Sequence, residues 1–128
     1  MPPKAKGGSA PRLVAVIQGG RRIALVAGSK PHRFTSLWAV VVDGRVFVRS
    51  WSVKPRSWYR TLLEEPRGVL KVREREVPFC AVRTRSTVMK AAVDRAYRAK
   101  YDHAGELRYT RDMTGPKSRA TTTELVLD

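Results

Sequence analysis

The sequence has little of what builds a self-evident active site. A single cysteine, Cys80, excludes an intramolecular disulfide and any multi-cysteine metal site. Two histidines, His32 and His103, have no carboxylate at a matching spacing, so no metal is expected. No apolar run approaches the roughly 20 residues that span a bilayer, so no membrane partner is expected. The first ten residues carry lysines but no apolar core, which speaks against a secretory leader. With one cysteine and no such leader, a cytoplasmic setting is expected. Acidic residues are scarce: 11 Asp and Glu stand against 26 Lys and Arg, for a net charge of +15 in 128 residues. No carboxylate pair or Ser-His-Asp order is compelling. Catalytic residues are therefore not identifiable from the sequence.

What is present fits one domain with a modest core. The hydrophobic fraction is 42%, high enough to exclude global disorder. Residues 1–11 read as a flexible basic tail and residues 12–128 as the folded domain. The charge excess calls for an anionic partner: a nucleic acid, a phosphorylated cofactor or an anionic substrate.

The segments Leu13–Ile17 and Ile23–Ala27 flank Gly19-Gly20-Arg21-Arg22 and read as a strand pair. Leu37–Val42 reads as a central strand buried on both faces. Asp43-Gly44 then signals a type I′ hairpin, because both residues tolerate positive φ. Val46–Val48 is the returning strand, leading to Arg49-Ser50-Trp51. Ser57 is placed to cap a helix from Trp58 to Glu65, which Pro66 ends. Strands over Gly68–Arg73 and Glu76–Thr84 follow. Ser86 can cap a longer helix, Thr87–Tyr101, with Met89, Val93, Ala96 and Tyr97 on one face. Residues 105–119 read as loop and Thr121–Leu127 as a terminal strand. The tight turns and the missing βαβ spacing predict a mainly β (α+β) fold: a small antiparallel barrel carrying one short and one longer helix.

The densest chemistry lies between Leu37 and Pro66. Arg49, Lys54 and Arg56 have the residue types that neutralise a phosphate, the guanidinium in a bidentate fork and the ammonium as a point charge. Trp51 and Trp58 could stack on a planar ring, although Trp58 also suits packing. Trp38, inside the apolar run, reads as core. Cys80 beside Phe79 reads as a buried, inert thiol. Asp94 and Glu64 read as helix-surface residues. Tyr97 and Tyr101 alternate with cations, as in an RNA-stacking surface, but their spacing favours packing on the barrel.

Leu37–Trp51, Ser57–Leu63, Ala96–Tyr101 and Arg119–Leu125 resemble an uncharacterised bacterial family of small domains. That family in turn resembles the split β-barrel flavin-binding proteins, which include pyridoxine-phosphate oxidases and deazaflavin-dependent reductases. The pair Trp58-Tyr59 with Leu62 is similar to the reductases' Trp-Tyr-x-Asn-Leu motif, with Thr61 in the Asn position. The resemblance implies a split barrel, a homodimer and a cofactor, FMN or a deazaflavin, whose phosphate meets basic and hydroxyl side chains near the central strands. Carried over residue by residue, it points to Arg33, Thr35, Ser36, Arg49, Ser50, Trp51, Lys54, Arg56 and Trp58, with the ring along Leu37–Val40. In such a protein the cofactor would carry the reductase chemistry. The alternative is a cofactor-free basic module that binds nucleic acid or another anion. A third reading is a scaffold whose barrel site has decayed.

Overall fold

The computed structural model describes residues 10–20, 23–28, 34–50, 57–101 and 111–127. They form a seven-stranded antiparallel sheet in the order β2-β1-β5-β6-β7-β4-β3. The strands are β1 (Ile23–Ala27), β2 (Thr35–Leu37), β3 (Ala39–Val42), β4 (Arg45–Val48), β5 (Arg67–Val72), β6 (Arg75–Arg83) and β7 (Thr123–Leu127). Both edges of this order, β2 and β3, belong to one extended segment, with only Trp38 between them. One residue cannot bridge a flat sheet of this width, so the sheet curls until its edges meet. The product is a small split β-barrel with helices outside it. Leu37–Val42 is thus not one central strand. It divides at Trp38, pairing with β1 before that residue and with β4 after it.

The hairpin turn forms as its residue types demand, with φ of 53° at Asp43 and 74° at Gly44 and with Val42 opposite Arg45. The strands expected from Ile23 onward also form, most of them shifted by a residue or two at their ends. Gly68 marks the closest approach of β5 to β1: a Cβ there would lie 2.1 Å from the Val26 carbonyl oxygen.

The stretch read as a first strand is instead a helix, α1 (Ala10–Gly19). A short apolar run has no decisive period, and here the one-turn spacing of Leu13 and Ile17 is what buries both. The helix begins inside the segment read as a tail, and residues 1–9 lie outside the described residues. It packs against β3 and β5.

Two other helices match their sequence signals. In α2 (Trp58–Glu64) the Ser57 hydroxyl accepts from the Arg60 N–H. In α3 (Thr87–Tyr101) the Ser86 hydroxyl accepts from the Met89 N–H. A single-turn helix, Pro116–Arg119, replaces part of the expected loop, because Pro116 presets the first-turn backbone after Gly115.

Two apolar clusters result. The barrel interior holds Leu25, Val46, Val48, Leu70, Phe79 and Leu125, with Leu13 and Ile17 from α1 and Leu62 from α2. A second cluster lies between the outside of β3–β4 and α3: Trp38, Val40, Phe47, Val93, Tyr97, Tyr101 and Met113. Trp38 stacks on Tyr101 with ring centroids 4.0 Å apart. The two tyrosines read as an optional RNA surface are therefore packing residues. The Tyr97 hydroxyl donates to the Trp38 carbonyl and that of Tyr101 to the Ala39 carbonyl.

Cys80 departs from its expected burial. The alternation of β6 turns Val77 and Phe79 inward, so Cys80, the residue after Phe79, is exposed. No helix among the described residues is long and apolar enough to cross a membrane.

Candidate functional site

Arg49 follows β4 directly and turns into the protein. Its side chain is fully buried. Nε donates to the Thr122 hydroxyl at 2.9 Å, Nη1 to the Met113 carbonyl at 2.9 Å and to the Asp94 carboxylate, and Nη2 to the Lys90 carbonyl at 2.9 Å. Four of its five N–H groups are thereby taken. Its backbone N–H donates to the Tyr97 hydroxyl at 3.1 Å. Burial pushes the guanidinium down from its ordinary value, and the Asp94 carboxylate opposes that. A second cation attends the same carboxylate: Arg119 Nε lies 3.0 Å from Asp94 Oδ2, an ion pair without hydrogen-bond alignment.

This arrangement corrects two sequence readings. Asp94 is not a helix-surface residue but a buried counter-ion. Arg49 is not a free phosphate clamp; its fork ties the end of β4 to α3, to the Met113 turn and to the lead-in of β7. Ser50 is buried beside it, and its backbone N–H donates to the Thr121 hydroxyl at 2.8 Å.

The other site residues of the sequence reading divide three ways. Thr35 and Ser36 are exposed on β2. Trp58 opens α2, half-buried against the barrel core and edge-on to Tyr59. Arg33, Trp51, Lys54 and Arg56 lie outside the described residues, as do His32 and His103. Among the described residues no three His, Cys, Asp or Glu side chains come together as a metal site.

A second basic feature lies at the barrel rim, where α2 sits over the ends of β6 and β7. A groove of about 250 Å³ is lined there by Tyr59, Leu62, Leu63, Pro66 and Ala81 on its apolar side and by Thr123, Arg83 and Arg85 on its polar side. The strand pattern explains it. β6 places Val77, Phe79, Ala81 and Arg83 on the inward row, with Arg83 opposite Thr123 at the end of the ladder. By that point the chain has passed the core, so the guanidinium emerges at the rim. Thr84 is buried, and Arg85 beyond it is exposed again. Neither arginine forms an ion pair with a described residue. Leu63 stays half-exposed along the opposite wall. Such a groove combines an apolar slot with two cations, a surface for a ligand with a ring or chain at one end and an anion at the other.

The sequence reading missed Arg83 and Arg85. The only available signal was their i, i+2 spacing at the end of a predicted strand, and that is weak in a chain with 26 Lys and Arg.

The fold is similar to the crystal structure of a conserved hypothetical protein, Rv2991 from Mycobacterium tuberculosis. The TM-score is 0.57 at 14% identity, covering 89% of this chain and 76% of that one. At that identity the likeness is one of fold. No curated protein matches the sequence significantly. The family model described as "uncharacterized protein conserved in bacteria", DUF2255, matches residues 23–125, and with most of its length covered the chain belongs to that family.

Proposed function

We propose that the protein binds a phosphorylated, ring-bearing cofactor, FMN or a deazaflavin, in the groove beside α2, and that it works as a homodimeric oxidoreductase. The observation that carries this reading is the groove itself, whose apolar wall ends on two arginines without acidic partners among the described residues. Arg83 and Arg85 would take the phosphate, a role in which a planar fork outperforms an ammonium. Leu63, Pro66 and Ala81 would line the apolar part of the ligand, with the Tyr59 ring beside them. The cofactor, when bound, would supply the hydride transfer, and the protein position and electrostatics.

Dimerisation has its own support. The groove's 250 Å³ falls below the roughly 300–1,000 Å³ usual for a drug-sized ligand, so one copy would hold only part of a flavin. The outward faces of β6 and β7 also leave Cys80 and Val82 exposed, with Val126 beside them. A second copy would cover apolar surface and complete the wall.

The test is a visible absorbance spectrum of the purified protein before and after addition of FMN or a deazaflavin, with thermal unfolding in parallel. A bound chromophore, or a rise in melting temperature with excess cofactor that the Arg83→Ala, Arg85→Ala double variant loses, supports the reading. Colourless protein with no thermal shift rejects it. The net charge of +15 favours a second reading, a cofactor-free module for nucleic acid. Its signature is binding that weakens steeply with salt. Failure to hold heparin at low salt rejects it.

A further inference from the structure

A different site, independent of the groove, surrounds Lys100. This residue lies in the last turn of α3, and its side chain reaches toward α1 and β3. Nζ donates to the Ile17 carbonyl and to the Ala39 carbonyl, each at 2.8 Å. It also borders a cavity of about 290 Å³, lined otherwise by Gln18, Val40, Val41, Ala96 and Ala99. Among the described residues the neighbouring elements offer it no charge there. Helix α1 contributes the neutral Gln18 amide, β3 contributes two valines, and α3 contributes two alanines. The Tyr101 ring centroid lies 5.3 Å from Nζ.

The two carbonyls and the Tyr101 ring favour the ammonium, and burial opposes them, raising the share of neutral amine. Burial lowers the Lys100 value from the ordinary 10.5 to about 8. A neutral primary amine has two N–H bonds and one lone pair. Two carbonyl acceptors occupy both N–H bonds, so the lone pair is what remains for the cavity.

We propose that Lys100 is a nucleophilic lysine, and that the cavity beside it takes an aldehyde or ketone with a short apolar chain, which the amine captures as a Schiff base. The lone pair attacks the carbonyl carbon and the C–N bond forms as the C=O π bond breaks. One amine proton passes to the oxygen, giving a carbinolamine. Loss of water then gives the imine, with no change in oxidation state. The imine nitrogen then takes one proton from solvent water; the resulting iminium has one N–H, so one of the two carbonyl hydrogen bonds survives and the other is given up. Capture therefore loosens the link between α3 and either α1 or β3.

The experiment uses the full chain, butanal as the carbonyl probe and sodium cyanoborohydride to reduce the imine, with peptide mass spectrometry to read every lysine. At pH 7.5, Lys100 should be alkylated on the order of tenfold faster than the exposed Lys71 and Lys117, because desolvation raises its neutral fraction. Its rate should rise with pH to a plateau, with a midpoint near 8. Glyoxylate, a small aldehyde that brings a charge against Val40, Val41, Ala96 and Ala99, should lose that preference. Alkylation of Lys100 no faster than of Lys71 and Lys117 overturns the proposal, since a lysine that merely clamps two carbonyls is slower, not faster. No substitution is required, so failed folding of a variant cannot decide the result.

Discussion

Arg49 and the pair Arg83/Arg85 carry the same side chain in opposite circumstances. Arg49 follows its strand into the junction between the barrel and α3, where a carboxylate, a hydroxyl and two carbonyls await it. Arg83 and Arg85 leave their strand at the rim, beside an apolar groove and away from any described acidic partner. The desolvation cost of Arg49 is already offset by fixed protein partners, so it stabilises the fold and has little left to offer a ligand. The rim arginines have no acidic partner among the described residues, so their hydrogen-bonding capacity stays open to solvent. Burial, not residue type or local motif, separates a structural cation from one left open to solvent in this chain.

Breaking the buried side of this comparison should have the largest effect. Arg49→Met leaves Asp94 with only the unaligned Arg119, and strips partners from the Met113 and Lys90 carbonyls. We expect a loss of about 3 kcal/mol or more in urea unfolding. A loss under about 1 kcal/mol would mean that the cluster does not hold α3 to the barrel. Tyr97→Phe comes next, because one hydroxyl serves both the Arg49 N–H and the Trp38 carbonyl. It should cost about 1–3 kcal/mol in the same assay.

The rim side should respond in the opposite sense. The Arg83→Ala, Arg85→Ala double variant should keep its stability within about 0.5 kcal/mol per site. Its affinity for FMN or a deazaflavin should fall by about tenfold or more, read by absorbance titration. If unfolding shifts as much as for Arg49→Met, the rim arginines are structural and the contrast fails.

Lys100, a cation between these extremes, adds a contribution that appears only as a pH response. Its folded value of about 8 lies below the ordinary 10.5, so the unfolded chain holds the proton more tightly. Wild-type stability should therefore gain a contribution as pH rises from about 8 to 10.5, and lose it as pH falls through that window. Lys100→Met has no such group. The stability difference between the two proteins should shift in favour of wild type across that range, in chemical denaturation at closely spaced pH. A constant difference would place the ammonium in contact with water.

Much of the fold was legible because its signals are local. Asp43-Gly44 needs only backbone freedom to make its turn. Ser57 and Ser86 need only a hydroxyl three residues before an N–H. Met89, Val93, Ala96 and Tyr97 need only the helical period to meet on one face. α1 was misread because Leu13–Ile17 suits either a strand or a helix by composition, and the surface it must cover is formed by residues distant in sequence. Cys80 was misread from the apolar character of its neighbour, although the strand period decides which way it faces.

The candidate site was legible only in outline. Clustered cations and aromatics near the central hairpin, with a helix beginning Ser57-Trp58-Tyr59, mark out a region. They do not say which cation is spent inside the protein. By itself the sequence determined the turns, the caps, the helix faces and the excess of positive charge, since each depends on a few neighbouring residues. Only the tertiary structure decided that Arg49 meets Asp94, 45 positions away, and that Arg83 meets the α2 groove. It also turned Lys100 toward two carbonyls from other elements. The physical reason is that a charged side chain's role depends on its desolvation and its partners, and both are set by segments that the barrel's closure brings together.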